Sequence, residues 1–125
     1  MTNRTIIAVV SDLMFRSRLE QETRRLGYAF AAVDSEAELR AALDGGAALA
    51  IIDLHVRGIE WREAVALAAA ADVPALAFGR HTEPQLLRDA RSAGCDRVVA
   101  RSQLVEELPA LIEELLSADT ERISG

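Results

Sequence analysis

Residues 5–12 read Thr-Ile-Ile-Ala-Val-Val-Ser-Asp, a run rich in β-branched residues that is closed by a serine and an acid. Apolar residues without alternation are the pattern of a strand covered on both faces. Ser11 then reads as a helix N-cap, and Leu13–Leu26 as the helix, stopped by Gly27. A doubly covered strand feeding a helix is one βα unit of a parallel sheet.

The same pattern recurs four times. Tyr28–Val33 is a second strand, and Ser35 with Glu38 forms a capping box opening a helix that ends at Gly45–Gly46. Ala48–Asp53 is a third strand ending in an acid. The loop His55–Gly58 leads to a helix over Ile59–Ala71, with Trp61, Val65 and Ala68 on one face. Pro74–Phe78 is a fourth strand. Thr82 caps the next helix, which has Pro84 near its start and Gly94 at its end. Asp96–Ala100 is a fifth strand. Leu108, Leu111, Ile112, Leu115 and Leu116 mark one buried face of a last helix, and Pro109 places its start around Val105–Leu108.

Five βα units with right-handed crossovers imply an α/β fold, flavodoxin-like and (βα)5, with a five-stranded parallel sheet in order 2-1-3-4-5 and helices on both faces. The expected organisation is a single domain over 1–125, with its core at 4–118 and a polar, frayed tail at 119–125. The length of 125 residues is enough for one buried core.

Composition removes several functions. The formal net charge is −6, and all 14 basic residues are arginine. Without lysine there is no Walker-type phosphate loop and no Schiff base. The acidic balance argues against nucleic-acid binding. No signal peptide or membrane-length apolar run is legible, and the lone Cys95 suits a reducing compartment, so the expected location is cytoplasmic. No G-x-S-x-G elbow is present, and Cys95 has no nearby histidine in sequence, so no enzyme activity is expected. Cys95 reads as a small buried residue.

In such a sheet the working site lies at the carboxyl ends of the strands, at the switch between strands 1 and 3. Asp12 follows strand 1 and Asp53 ends strand 3. Neighbouring strands are about 5 Å apart, so the two carboxylates should converge. Two carboxylates and a backbone carbonyl, that of His55, suit a hard cation such as Mg²⁺.

The segments VVSD (9–12), AIIDL (50–54), PALAFG (74–79) and GCDRVVARS (94–102) resemble the receiver domain of two-component response regulators. The resemblance implies a signalling module rather than an enzyme, with Asp53 as phosphoacceptor and Asp12 as one acid of a Mg²⁺-holding pair. It also implies a histidine kinase or downstream effector as partner, and a dimer or output face made by helix 4, strand 5 and helix 5. On that face Arg88, Arg91 and Arg97 stand near Glu106, Glu107, Glu113 and Glu114.

The departures from the family pattern fall on the site itself. Ser11 stands where the first acid belongs, Gly79 where a Thr or Ser belongs, and Arg101 where the lysine belongs. Ser102 replaces the following proline, so the peptide before it is expected to be trans, since a non-proline cis bond costs about 2.5–4 kcal/mol. Val98 replaces an aromatic residue on strand 5. These losses imply a degenerate phosphorylation site, with Arg101 pairing with Asp53 as an imitation of an occupied one. The alternative is a working but atypical Mg²⁺-dependent phosphoacceptor in a phosphorelay. A more remote alternative is a cobalamin-binding domain, because Asp53, His55 and Gly58 match D-x-H-x-x-G. Finally, Arg16, Arg18, Arg24 and Arg25 form a basic cluster on the first helix, read as a solvated face.

Overall fold

The structure is a computed structural model that describes residues 4–124, and side chains over 4–116. Its strands are β1 (Thr5–Val9), β2 (Ala29–Ala32), β3 (Leu49–Asp53), β4 (Ala75–Gly79) and β5 (Arg97–Ala100). The helices are α1 (Leu13–Arg25), α2 (Glu36–Asp44), α3 (Trp61–Ala70), α4 (Pro84–Ser92) and α5 (Arg101–Ser124). All four strand pairings are parallel and the sheet order is β2-β1-β3-β4-β5, as the alternation of apolar runs and helices predicts.

The period of two within β1 sorts its residues between the faces. Ile6 and Ala8 join Phe15 and Leu19 of α1 and Leu104, Leu108 and Leu111 of α5 in one cluster. Ile7 and Val9 join Leu39 and Leu43 of α2 and Val65 and Ala68 of α3 on the other face. Leu54, Ala77 and Val98 pack with Ala90 of α4. Every residue of β3 is buried, so neither face of the central strands meets water. Each fully buried isoleucine contributes about 1.5–3 kcal/mol of hydrophobic stabilisation.

Several local expectations are corrected. The cap of α1 is Asp12, not Ser11: the Asp12 carboxylate accepts the Met14 and Phe15 N–H groups, both at 3.1 Å. The cap position of α4 is Glu83, not Thr82, and it makes no side-chain capping bond. The last helix starts at Arg101, directly after β5, rather than near Val105. Pro109 is accommodated by a break at Glu107 (φ −118°, ψ 17°), which makes the proline an early residue of a second helical segment. The α5 assignment runs to Ser124, and Gly125 lies outside the described residues. The Ser35 cap is present, with Glu38 N–H bonded to its hydroxyl at 3.1 Å and the Glu38 carboxylate returning to Asp34 N–H at 2.6 Å.

The basic cluster on α1 is mostly neutralised within the chain. Arg24 pairs with Glu20 and Arg25 with Glu22, while Arg16 turns inward to the Val10 carbonyl and the Asp34 carboxylate. No helix among the described residues is long and apolar enough to cross a membrane.

Candidate functional site

The parallel register sets β1 and β3 side by side, with Val9 opposite Ile52, so the chain leaves both strands at the same edge. Asp53 closes β3 and is only 7% exposed. Its Oδ1 accepts the His55 N–H at 2.8 Å. Burial raises the Asp53 carboxyl above its ordinary range; the His55 amide and Arg101 oppose the rise, and the neighbouring Asp12 charge adds to it.

Asp12 is held differently. The Phe15 N–H, and after it the Arg101 guanidinium, pull its carboxyl below the ordinary range. Arg101 Nη2 lies 3.2 Å from Asp12 Oδ2, and the guanidinium stacks over the Phe15 ring at 4.1 Å. The expected pairing of Arg101 with Asp53 is thus replaced by a pairing with Asp12. The reason is geometric: α5 begins at Arg101 itself, and Phe15, in the first turn of α1, provides a ring for the planar cation to lie on.

The remaining departures from the family pattern have structural consequences of their own. The Ser11 hydroxyl accepts the Arg57 N–H at 2.8 Å and donates to the Arg57 carbonyl at 3.3 Å, which clasps the loop after β1 to the loop after β3. Gly79 ends β4 opposite Ala100. A Cβ there would stand 3.2 Å from Leu87 Cδ2 and 3.3 Å from Leu54 Cδ1, so leucines fill the space a Ser or Thr side chain needs. Ser102 is exposed in the first turn of α5, and no cis peptide is present among the described residues.

The donor set does not suit Mg²⁺ as it stands. Both oxygens of Asp12 are engaged, one by the α1 amides and the other by Arg101. Ser11 supplies no charge, and among the described residues no group of three His, Cys, Asp or Glu side chains converges. The Arg101 guanidinium instead brings a positive charge to the acid pair.

His55 and Gly58 also have local explanations. His55 Nε2 is 2.7 Å from Glu83 Oε1, tying the β3–α3 loop to the β4–α4 loop. Gly58 has φ +86°, and a Cβ on it would lie 2.9 Å from the Asp34 carbonyl oxygen, so only glycine fits that close approach. Trp61 is partly buried between two clusters, with Arg62 over its ring at 4.4 Å. Cys95 is half-buried rather than fully buried, and burial pushes its thiol up to about 11.

Sequence reasoning missed Phe15 and Glu83 as members of this neighbourhood. No spacing rule links Phe15 to Arg101 or Glu83 to His55.

No family model matches the chain, and no curated protein matches it. Solved structures do. NtrX from Brucella abortus superposes with a TM-score of 0.85 at 13% identity over 98% of this chain, which spans 29% of that longer protein. The receiver domain of the Francisella response regulator 1452 gives 0.79 at 10% identity, covering 94% of this chain and 99% of that one. A response regulator from Burkholderia pseudomallei, solved with a phosphorylated aspartic acid, a calcium ion and citrate, gives 0.75 at 18% identity, covering 96% and 72%. The chain therefore has the fold of response-regulator receiver domains. At these identities the likeness is one of fold, and the chemistry has to be argued from the residues at the strand ends.

Proposed function

We propose that this chain is a receiver-like signalling module that acts through contact with another protein, a histidine kinase or a downstream effector, and that its phosphorylation site is degenerate. One observation carries the reading: Arg101, at the lysine position, is paired with Asp12 and stacked on Phe15. Phosphoryl transfer depends on positioned cations and on donors aimed at the transferred group. Here the Arg101 cation is shared with an acid, the hydroxyl position is glycine, and leucines crowd its space. The arrangement supports a site with its charge balanced internally and no lever to register a phosphoryl group.

The second reading, a working atypical phosphoacceptor, is favoured by Asp53 itself, which keeps its place at the end of β3 beside Asp12. Incubation with acetyl phosphate and Mg²⁺ followed by intact mass separates the two. The degenerate site predicts no adduct; a phospho-adduct that disappears in Asp53→Asn overturns it. A two-fold contact through α4, β5 and α5 would rest mainly on Arg91, since Arg97 already lies 3.7 Å from Glu114 and Arg88 bonds Gln85. Sedimentation of the wild type and Arg91→Ala at high concentration tests it: a monomer in both sinks the dimer.

A further inference from the structure

The sheet has two edge strands, β2 and β5. Natural sheets guard such edges with charge, proline or a bulge. β5 begins with Arg97, whose guanidinium lies 3.7 Å from Glu114. β2 has no such guard: residues 28–33 include no charged residue and no proline, and the pairing of β2 with β1 runs without a bulge. The backbone groups on its outer side are identifiable. Ala29 N–H bonds the Arg4 carbonyl at 2.8 Å, and Val33 N–H bonds the Ala8 carbonyl at 3.1 Å. In a parallel ladder alternate residues face the same neighbour, so Phe30 and Ala32 turn their N–H and C=O groups away from β1. Ala29 and Ala32 are both exposed.

The two ends of β2 differ in charge. At its start, Arg4 lies over the Tyr28 ring at 4.5 Å and bonds the Gly27 carbonyl at 3.3 Å. Arg4 meets no carboxylate among the described residues, whereas Arg24 and Arg25 in the last turn of α1 are balanced by Glu20 and Glu22. At the other end, Asp34 is shared with Arg16 yet its side chain stays 65% exposed. The exposed Glu38 carboxylate bonds Asp34 N–H and meets no cation among the described residues. The edge therefore runs from a spare positive charge to a spare negative one. Tyr28 and Phe30 pack against the cluster on the α1 side, and Asp34 reaches Arg16 of α1, so these side chains share one face of the sheet.

We propose that this edge pairs with a second copy of the chain, β2 against β2 in antiparallel order, about a two-fold axis at Ala31. Phe30 of one copy then exchanges backbone hydrogen bonds with Ala32 of the other, and its ring packs beside the small methyl. Ala31 meets its own counterpart on the axis, where facing residues are closest and a methyl fits. Tyr28 stands opposite Asp34, so Arg4 of each copy reaches the acid end of the other. A two-fold contact needs a self-complementary patch, and a strand with opposite charges at its two ends is one. That match favours a second copy over an unrelated extended segment. The inference depends neither on the chemistry of Asp53 nor on a contact through α4, β5 and α5.

The test is sedimentation equilibrium of the full chain, with amide NMR over a dilution series. So short a ladder belongs with weak interfaces, and a monomer–dimer equilibrium is expected at about 0.1–1 mM. Concentration-dependent shifts should fall at residues 28–34. Ala32→Pro removes an outward N–H; an edge strand tolerates proline there, and the variant's own spectrum verifies the fold. It should weaken association at least about 10-fold, because each copy loses a ladder hydrogen bond. Arg4→Glu should weaken it several-fold, as should high salt on the wild type, and Arg91→Ala should leave it unchanged. A monomer at about 1 mM, a dimer unaffected by both Ala32→Pro and Arg4→Glu, a dimer lost in Arg91→Ala, or shifts confined to α4, β5 and α5 would each overturn the proposal.

Discussion

Restoring the missing hydroxyl by Gly79→Ser should cost stability, and the structure sets the scale. Gly79 lies in a strand outside the left-handed region, so any side chain is allowed by the backbone. Replacing glycine there stiffens the unfolded chain, which stabilises by about 0.4–1 kcal/mol. Against this, the new Cβ meets Leu87 Cδ2 at 3.2 Å and Leu54 Cδ1 at 3.3 Å, both tighter than ordinary contact. Overpacking a well-filled site costs about 1–3 kcal/mol. The net expectation runs from about no change to a loss of about 2.6 kcal/mol. For 125 residues, each kcal/mol corresponds to about 4 °C in Tm. Urea unfolding with a constant m-value measures it directly. Gly79→Ala should lose nearly as much as Gly79→Ser, because the clash is at Cβ. Adding Leu87→Ala should recover part of the loss, a coupling that a double-mutant cycle reads out. A Gly79→Ala variant more stable than the wild type would refute the claim that leucines close this position.

Three further expectations follow from named contacts. Gly58→Ala should destabilise by more than about 1–2 kcal/mol, the cost of a left-handed residue, because its Cβ also meets the Asp34 carbonyl; thermal unfolding measures it. Asp53 has a folded pKa above its unfolded value of about 3.8, so the native state holds more protons there. Its contribution is full below the unfolded pKa and is lost as pH rises through the folded pKa; Asp53→Asn should therefore raise stability at pH 7 and remove that slope from a pH series of urea midpoints. Cys95, with its thiol at about 11, should react with a disulfide reagent at pH 8 far more slowly than a free thiol, and speed up in urea.

The strands were legible because their burial is simple. Ile6–Val9 and Leu49–Ile52 are apolar without a break, and both strands are covered on two faces. The acids at their ends were legible for the same reason, since parallel pairing of two such runs leaves little choice of register. The exact cap was harder. Ser11 and Asp12 are both good N-caps, and the decision falls to Ser11's bond with the backbone of Arg57, 46 residues away. The partner of Arg101 was not legible either: Asp12 is 89 residues distant, and the choice of Asp12 over Asp53 depends on where α5 begins and on the Phe15 ring beneath the guanidinium. Arg16 sits in a run of arginines that reads as a solvated face, yet it reaches the Val10 carbonyl at 2.6 Å. Sequence patterns report burial well, but they do not report which long side chain turns inward.

The absence of lysine, with arginine at the strand-5 position, gains a physical meaning from these contacts. A guanidinium on Asp12 brings a cation to the place where the receiver-domain resemblance implies a divalent ion. Calorimetric titration of Mg²⁺ into the wild type and Arg101→Ala tests this most directly. The account predicts no saturable binding to the wild type in the low millimolar range and a gain of binding when the guanidinium is removed. Millimolar or tighter Mg²⁺ binding to the wild type, unchanged in Arg101→Ala, would contradict it.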